Sequence, residues 1–352
     1  MNHLKRQINN ALNQIIAPYH GETPFHLYLK NTFQKNKNWG SKDRRNYRNI
    51  CYTYWRNYTY LTQLNNENLE DALLQILENP NSECLVHPYK SLKEHISPEI
   101  NFSLLNVWFL NNPPVYFLLN PKFKTDFMDF KMPFDGTIEL EKDGDYSSLI
   151  ADGKGIIQDI SSTLSILEIV PSISDKTIWD CCAGAGGKSL ALKMLGKPKS
   201  ILGSDIRESI LVNYAMRFQN LKIEKPKTIK IDLNNTTEIS KIEPVDFILA
   251  DMPCSGSGTW RRTPENLAFF DPSGLAKISH NQFQYLDNIA TKVKKGGNIY
   301  YLTCSIFENE NENVINTFIQ KNKNFSVVFQ QYFGGPEKNA DFIFGALLRR
   351  ES

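Results

Sequence analysis

The chain has 352 residues, 41% of them hydrophobic and 22% charged, with a formal net charge of +2. That length accommodates two or three domains with a substantial core. The six cysteines lack both the CxxC spacing of a zinc site and the density of a disulfide scaffold. No apolar run approaches a membrane span, and the start lacks a charged-then-apolar leader. A cytoplasmic protein with free thiols is expected, with no metal and no membrane partner.

The charge is unevenly placed. Residues 1–60 carry ten Lys and Arg against Glu22 and Asp43, a local +8 that leaves about −6 for the rest. Such asymmetry favours an anionic partner, with nucleic acid first and a membrane surface second. The same residues read as helical, since Leu4, Ile8, Leu12 and Ile15 recur at helical spacing, as do Leu69, Leu73, Leu74 and Leu77. Between Trp39 and Tyr60, Arg44, Arg45, Arg48 and Arg56 interleave with six tyrosines and tryptophans. That mixture suits contact with phosphates and bases, and equally suits the core of a small helical domain.

Asn111-Asn112-Pro113-Pro114 marks a boundary. A small strand-containing module follows to residue 152, with the apolar run Val115–Leu119, the segment Asp135–Leu140 and turn residues at Lys142–Asp145. From 153 onward strands and helices alternate. Strands are expected at Thr177–Cys181, Ile201–Asp205, Lys227–Ile231, Phe247–Ala250, Ile299–Leu302, Ser326–Phe329 and Ile343–Leu348, with helices such as Arg207–Asn220 and Phe283–Lys294 between them. This rhythm predicts a mostly parallel, doubly wound α/β sheet. The last two strands have no helix between them and read as a hairpin.

Asp180-Cys181-Cys182-Ala183-Gly184-Ala185-Gly186-Gly187-Lys188 is a strand-to-helix turn. Its glycines permit close backbone approach to a ligand, and the helix start adds exposed N–H groups. A P-loop would need glycine at 182, which is Cys, and a dinucleotide loop would need glycine at 189, which is Ser. A ligand that needs no pyrophosphate cradle remains. Asp205 at the next strand tip suits a ribose hydroxyl, and Asp232 suits an adenine amino group. With Asp180 and Asp251, four strand tips carry carboxylates.

Two further strand ends carry cysteine, Cys254 in Asp251-Met252-Pro253-Cys254-Ser255-Gly256 and Cys304 in Leu302-Thr303-Cys304-Ser305. Strand ends are the usual mouth of an α/β crevice. A thiolate there can attack C6 of a cytosine and make C5 nucleophilic toward a methyl donor, with a covalent intermediate. Cys51, Cys84, Cys181 and Cys182 read as packing residues.

On these motifs the chain resembles the RsmB/NOP2/NSUN family of RNA cytosine-C5 methyltransferases, in its bacterial RsmB-like form. The likeness covers 110–352 and is strongest over 153–310. Gln158-Asp159-Ile160-Ser161-Ser162, the stretch Ser257-Gly258-Thr259-Trp260-Arg261-Arg262 that extends the Pro-Cys motif into basic residues suited to RNA phosphates, Glu308-Asn309-Glu310-Asn311-Glu312 at the acidic start of the next family helix, and the strand Asp341–Ala346 add to it. One departure is the cofactor loop, which lacks the family's proline and reads Gly184-Ala185-Gly186-Gly187-Lys188.

The resemblance implies a Rossmann-like S-adenosyl-L-methionine-dependent methyltransferase domain at 153–352, an RRM-like α+β subdomain at 111–152 and a basic helical RNA-binding, NusB-like domain at 1–110. It implies a transferase that methylates C5 of a cytidine in RNA, with rRNA ahead of tRNA, acting as a monomer. An RNA-binding assembly factor with secondary catalysis is the alternative. Cys304 would be the nucleophile and Cys254 would assist release. Lys188 and Asp251 would face the reacting base. Residues Cys182, Ala183, Gly184, Ala185, Gly186, Gly187 and Lys188, with Asp205, Asp232 and Asp251, would hold the cofactor. Arg261, Arg262, Arg44 and Arg45 would contact RNA.

Overall fold

The computed structural model describes residues 2–352 except 65, 80–86, 128, 131, 135 and 142–143. Cys84 and the expected turn at Lys142 lie outside the described residues. The chain divides into two compact units: Met1–Glu94, Asn101–Asn112 and Thr259–Pro272 form the first, and His95–Ile100, Pro113–Gly258 and Ser273–Ser352 the second.

The first unit is helical. Asn2–Ala11, Phe25–Lys35, Ser41–Arg56, Asn66–Glu78 and Phe102–Leu110 are its longer helices. Ser41–Arg56 starts where Asp43 reaches back to the Gly40 N–H at 3.1 Å, satisfying a donor the helix leaves open. The apolar face that the sequence pattern predicts is the buried one: Ile8, Ile15, Ile50, Trp55 and Leu73 form one cluster. The aromatics between Trp39 and Tyr60 are mainly core material. Tyr47 and Trp55 are buried, and Tyr52, Tyr54, Tyr58 and Tyr60 pack against that cluster. Rings of Tyr19, Phe25 and Trp55 meet edge to face with centroids 4.8–5.8 Å apart, a favoured geometry for aromatic packing.

The second unit holds two sheets. A three-stranded sheet has the order β2-β1-β3, with β1 at Val115–Leu119, β2 at Thr137–Leu140 and β3 at Gly155–Ile157. Its pairings are antiparallel. The third strand therefore comes from beyond residue 152. Gly155 is required there, because a Cβ would lie 2.2 Å from the Leu118 carbonyl.

The larger sheet contains β4 (Thr177–Asp180), β5 (Ser200–Asp205), β6 (Lys227–Lys230), β7 (Val245–Asp251), β8 (Val293–Thr303), β9 (Phe325–Gly334) and β10 (Phe342–Arg350). Their order is β6-β5-β4-β7-β8-β10-β9. β4 to β8 run parallel, and β10 lies antiparallel between β8 and β9. The expected final hairpin is β9–β10. This is the Rossmann-like α/β fold of methyltransferases.

Both faces of the sheet are covered, so its central strands are apolar throughout. Phe247 to Ala250 and Ile299 to Leu302 are each at 0% exposure. One expected boundary shifts. The helix of Phe283 ends at Ala290, and β8 already begins at Val293. Val293 is buried and pairs with Val245, so burial overrides the helix-like run of lysines around it. Order reverses at β4, whose neighbours β5 and β7 lead away in opposite directions, and α/β sheets open a ligand crevice at that point.

Candidate active site

The sequence after β4 turns through Cys181–Gly186 and enters the helix Gly187–Leu195. Gly186 caps that helix with φ +80°. A Cβ there would meet the Tyr214 ring at 2.6 Å, so glycine is demanded by backbone and by space. Gly186→Ala is expected to destabilise the unit by about 1–3 kcal/mol, read as a lowered midpoint in urea. An unchanged midpoint would show that the turn is not held in this form.

A cavity of about 730 Å³ opens at the carboxyl ends of β4, β5, β6, β7 and β8. Cys182, Ala183, Gly184, Ala185, Gly187, Asp205, Asp232 and Asp251 line it, together with Cys254 and Cys304. Of the expected cofactor residues, Gly186 and Lys188 stand behind the wall. Gly186 shapes the turn, and the Lys188 ammonium donates to Asp251 Oδ2 at 2.6 Å. Burial lowers the affinity of Lys188 for its proton, but the Asp251 charge and hydrogen bond outweigh it, and Cys304 adds to them, leaving Lys188 raised.

Asp205 accepts from the Gly184 N–H at 3.1 Å and from Arg207 through its backbone N–H, Nε and Nη2. Arg207 is 64% exposed, so this pair is held weakly and the carboxylate can exchange partners. Asp232 Oδ1 takes the Asn234 N–H. Asp180 differs from the other three strand-tip acids. It is 1% exposed, accepts from Ser189 Oγ at 2.6 Å and is absent from the cavity wall. Burial pushes its carboxyl up to about 7.

The cysteines meet because β7 and β8 are neighbours, with Asp251 paired to Leu302. The Met252 N–H continues the ladder to the Leu302 carbonyl at 2.8 Å. Further on, the Gly258 N–H donates to the Cys304 carbonyl at 2.9 Å. Cys254 Sγ and Cys304 Sγ are 3.2 Å apart. The hydrogen bond to Cys304 and burial, with the Glu310 charge behind them, push the Cys254 thiol well above the ordinary cysteine value. The two sulfurs are within hydrogen-bond distance, and either S–H can donate to the other. Diamide, which takes two hydrogens from a thiol pair, is expected to join these two cysteines in the folded protein. Peptide mapping that finds both thiols still alkylatable after treatment would refute the arrangement.

Several participants carry no sequence signal of their own. Ile206 is an apolar cavity residue at 53% exposure, and Tyr285 and Arg217 line the same space. Glu310 sits in a short turn before the helix Glu312–Lys321 and is fully buried. Asp159 caps the helix Ile160–Ile169 and also accepts from the Asp341 N–H at 3.0 Å, which explains two otherwise separate motifs. Cys51 and Cys181 are buried as expected, and both Cys181 and Cys182 line the cavity.

The four expected RNA-contacting arginines lie in the first unit. Arg45 is exposed, and Arg44 is half-buried with its Nε on the Trp39 carbonyl at 2.9 Å. Arg262 is half-buried. Arg261 is corrected: it is fully buried with its guanidinium over the Trp108 ring, so it is an interior side chain and not a surface phosphate contact. Among the described residues no group of three His, Cys, Asp or Glu can hold a metal, and no helix is long and apolar enough to cross a membrane.

Residues 168–342 match a family profile described as 16S rRNA methyltransferase RsmB/F. A probable ribosomal RNA small subunit methyltransferase B from Bacillus subtilis is 36% identical over 194 residues, which is 54% of this chain and 43% of that protein. The matching segment thus spans less than half the length of this curated relative. Among solved structures, PH0851 superposes with a TM-score of 0.71 at 19% identity, covering 99% of this chain and 98% of that one. NSun6 from Pyrococcus horikoshii with SFG superposes with a TM-score of 0.53 at 19% identity, covering 59% and 56%. Fold and site define a methyltransferase-type α/β unit. Residues 168–342, just under half of the chain, are similar to the RsmB/F methyltransferase family.

Proposed function

We propose that the chain methylates C5 of a cytidine in ribosomal RNA, using S-adenosyl-L-methionine and a covalent bond from Cys304. The observation that carries this reading is the pair of strand-end thiols, 3.2 Å apart, on the wall of the cavity that also contains the glycine turn. The relatives' names, as small-subunit rRNA methyltransferases, support the substrate class.

The cavity fits the cofactor. Its volume of about 730 Å³ lies inside the range of ~300–1,000 Å³ for small-molecule sites. Asp205 offers a carboxylate for ribose hydroxyls once Arg207 moves, Asp232 and Ile206 offer an acceptor and an apolar surface for an adenine, and the N–H groups of the turn offer donors. The cofactor supplies an electrophilic methyl group on a sulfonium.

The protein's own part begins at Cys304. Its thiolate adds to C6 of the base, and the electron pair moves toward C5, which takes the methyl group. Asp251, held by Lys188, accepts hydrogen bonds from the base edge and orients C6 toward Sγ. Loss of the C5 proton to solvent restores the C5–C6 double bond and breaks the Sγ–C6 bond. The departing Cys304 sulfur carries the electron pair, and the Cys254 S–H donates to it. A target base reaches this site only unstacked from its neighbours. A reducing cytoplasm keeps both thiols free. The reading is tested by incubating the protein with unmodified rRNA and tritiated cofactor, then sequencing after bisulfite treatment. A single protected cytidine is expected, and transfer to any other base position contradicts the proposal.

A further inference from the structure

The loops carrying Cys254 and Cys304 are joined by one buried side chain that the chemistry above leaves unused. Glu310 is at 0% exposure. Its Oε1 accepts from the Ser255 N–H at 2.8 Å and from Gln282 Nε2 at 3.1 Å. Its Oε2 accepts from Ser255 Oγ and Ser305 Oγ, both at 2.5 Å. Each partner has a hydrogen to give to a carboxylate oxygen. Ser255 follows Cys254 directly and Ser305 follows Cys304 directly. Gln282 completes the junction by donating also to the Pro253 carbonyl at 2.9 Å.

We infer that Glu310 is a positioning residue for the reaction: its carboxylate ties the two cysteine loops together through Ser255 and Ser305 and sets a negative charge beside Cys254, which holds Cys304 in place for attack. This rests on the proposed methyl-transfer reading. Charge-assisted hydrogen bonds to buried donors are among the stronger polar contacts. A carboxylate with several of them adds to the Gly258 N–H to Cys304 carbonyl bond and the Ser257 contacts in fixing the two loops. Its charge acts on Cys254, whose other charged or titratable neighbours are Cys304 and Tyr301. The Lys188–Asp251 pair faces Cys304 from the cofactor turn. Loops free to drift by about 1 Å cost reacting groups on the order of 100-fold.

The variants are Glu310→Gln, which keeps shape and loses charge, and Ser255→Ala with Ser305→Ala, which remove the two hydroxyl ties to Oε2 while the Ser255 N–H, Gln282 and the charge remain. Three quantities are measured on the full chain: binding of S-adenosylhomocysteine, the pH profile of iodoacetamide labelling at Cys254, and the rate of covalent adduct formation with rRNA containing 5-azacytidine. In Glu310→Gln, binding is expected to stay within about twofold, the Cys254 profile to move to lower pH, and the adduct rate to fall about 10–100-fold. The double serine variant should slow the adduct with little movement of the profile. An unmoved profile in Glu310→Gln overturns the inference. So does a parallel loss of cofactor-product binding and adduct, which is what a merely structural residue would give. A wild-type protein that forms no adduct overturns the methyl-transfer reading instead, while the labelling profile still decides the role of Glu310.

Discussion

Replacing Cys304 with alanine is expected to lower methyl transfer by roughly 10⁴-fold or more, the scale on which removal of a covalent nucleophile acts. No covalent adduct should form on RNA containing 5-azacytidine. Cofactor binding should persist, because Cys304 contributes one small side chain to a wall built mainly by the glycine turn and the strand-tip carboxylates. Folding should persist as well, since the loop is anchored through the Cys304 carbonyl and through Ser305 and not through Sγ. The measurement is single-turnover transfer of a tritiated methyl group. Transfer within tenfold of wild type in the alanine variant would remove Cys304 from the mechanism.

Replacing Cys254 gives the opposite pattern. The first methyl transfer should proceed, because the attacking sulfur and the cofactor wall remain. Release should stall, because no S–H stands 3.2 Å from the departing sulfur and the thiolate leaves unassisted. Cys254→Ala should therefore show a burst of one methyl group per protein, little turnover and a protein–RNA band that survives denaturing electrophoresis. The stalled species should carry a methylated base. Steady turnover at the wild-type rate would show that release needs no help from this position. The two variants differ in which step they stop, so a general loss of folding cannot produce both outcomes.

Most of the fold that frames these residues was legible because parallel strands buried on both faces are written as continuous apolar runs. Phe247 to Ala250 and Ile299 to Leu302 identify themselves in this way, and the acids and cysteines that follow them mark strand ends. The less legible features depend on long-range packing. Thr259–Pro272 belongs to the first unit although the sequence runs on without a boundary signal. Trp260 and Arg261, read as an extension of the Pro-Cys motif toward RNA, are buried there. A guanidinium over a buried indole has the same sequence appearance as one facing phosphate.

Glu310 illustrates a second limit. A carboxylate just before a helix has a sufficient local explanation in the helix dipole, and nothing local announces that it will be buried between two loops. Only the register of β7 against β8 brings Ser255 and Ser305 to the same carboxylate. Arg207 follows the same pattern. It reads as the start of a helix, and the structure places it on Asp205, where it occupies the carboxylate expected to meet ribose.

The most direct measurement is mass spectrometry of the protein after reaction with a short rRNA fragment carrying 5-azacytidine at the methylated position, in the presence of S-adenosylmethionine. One nucleotide remnant should be found, attached to the peptide that contains Cys304, with Cys254 alkylated separately as a free thiol. A remnant on Cys254, or on neither cysteine while methyl transfer proceeds, would contradict the assignment of Cys304 as the sulfur that bonds to the base.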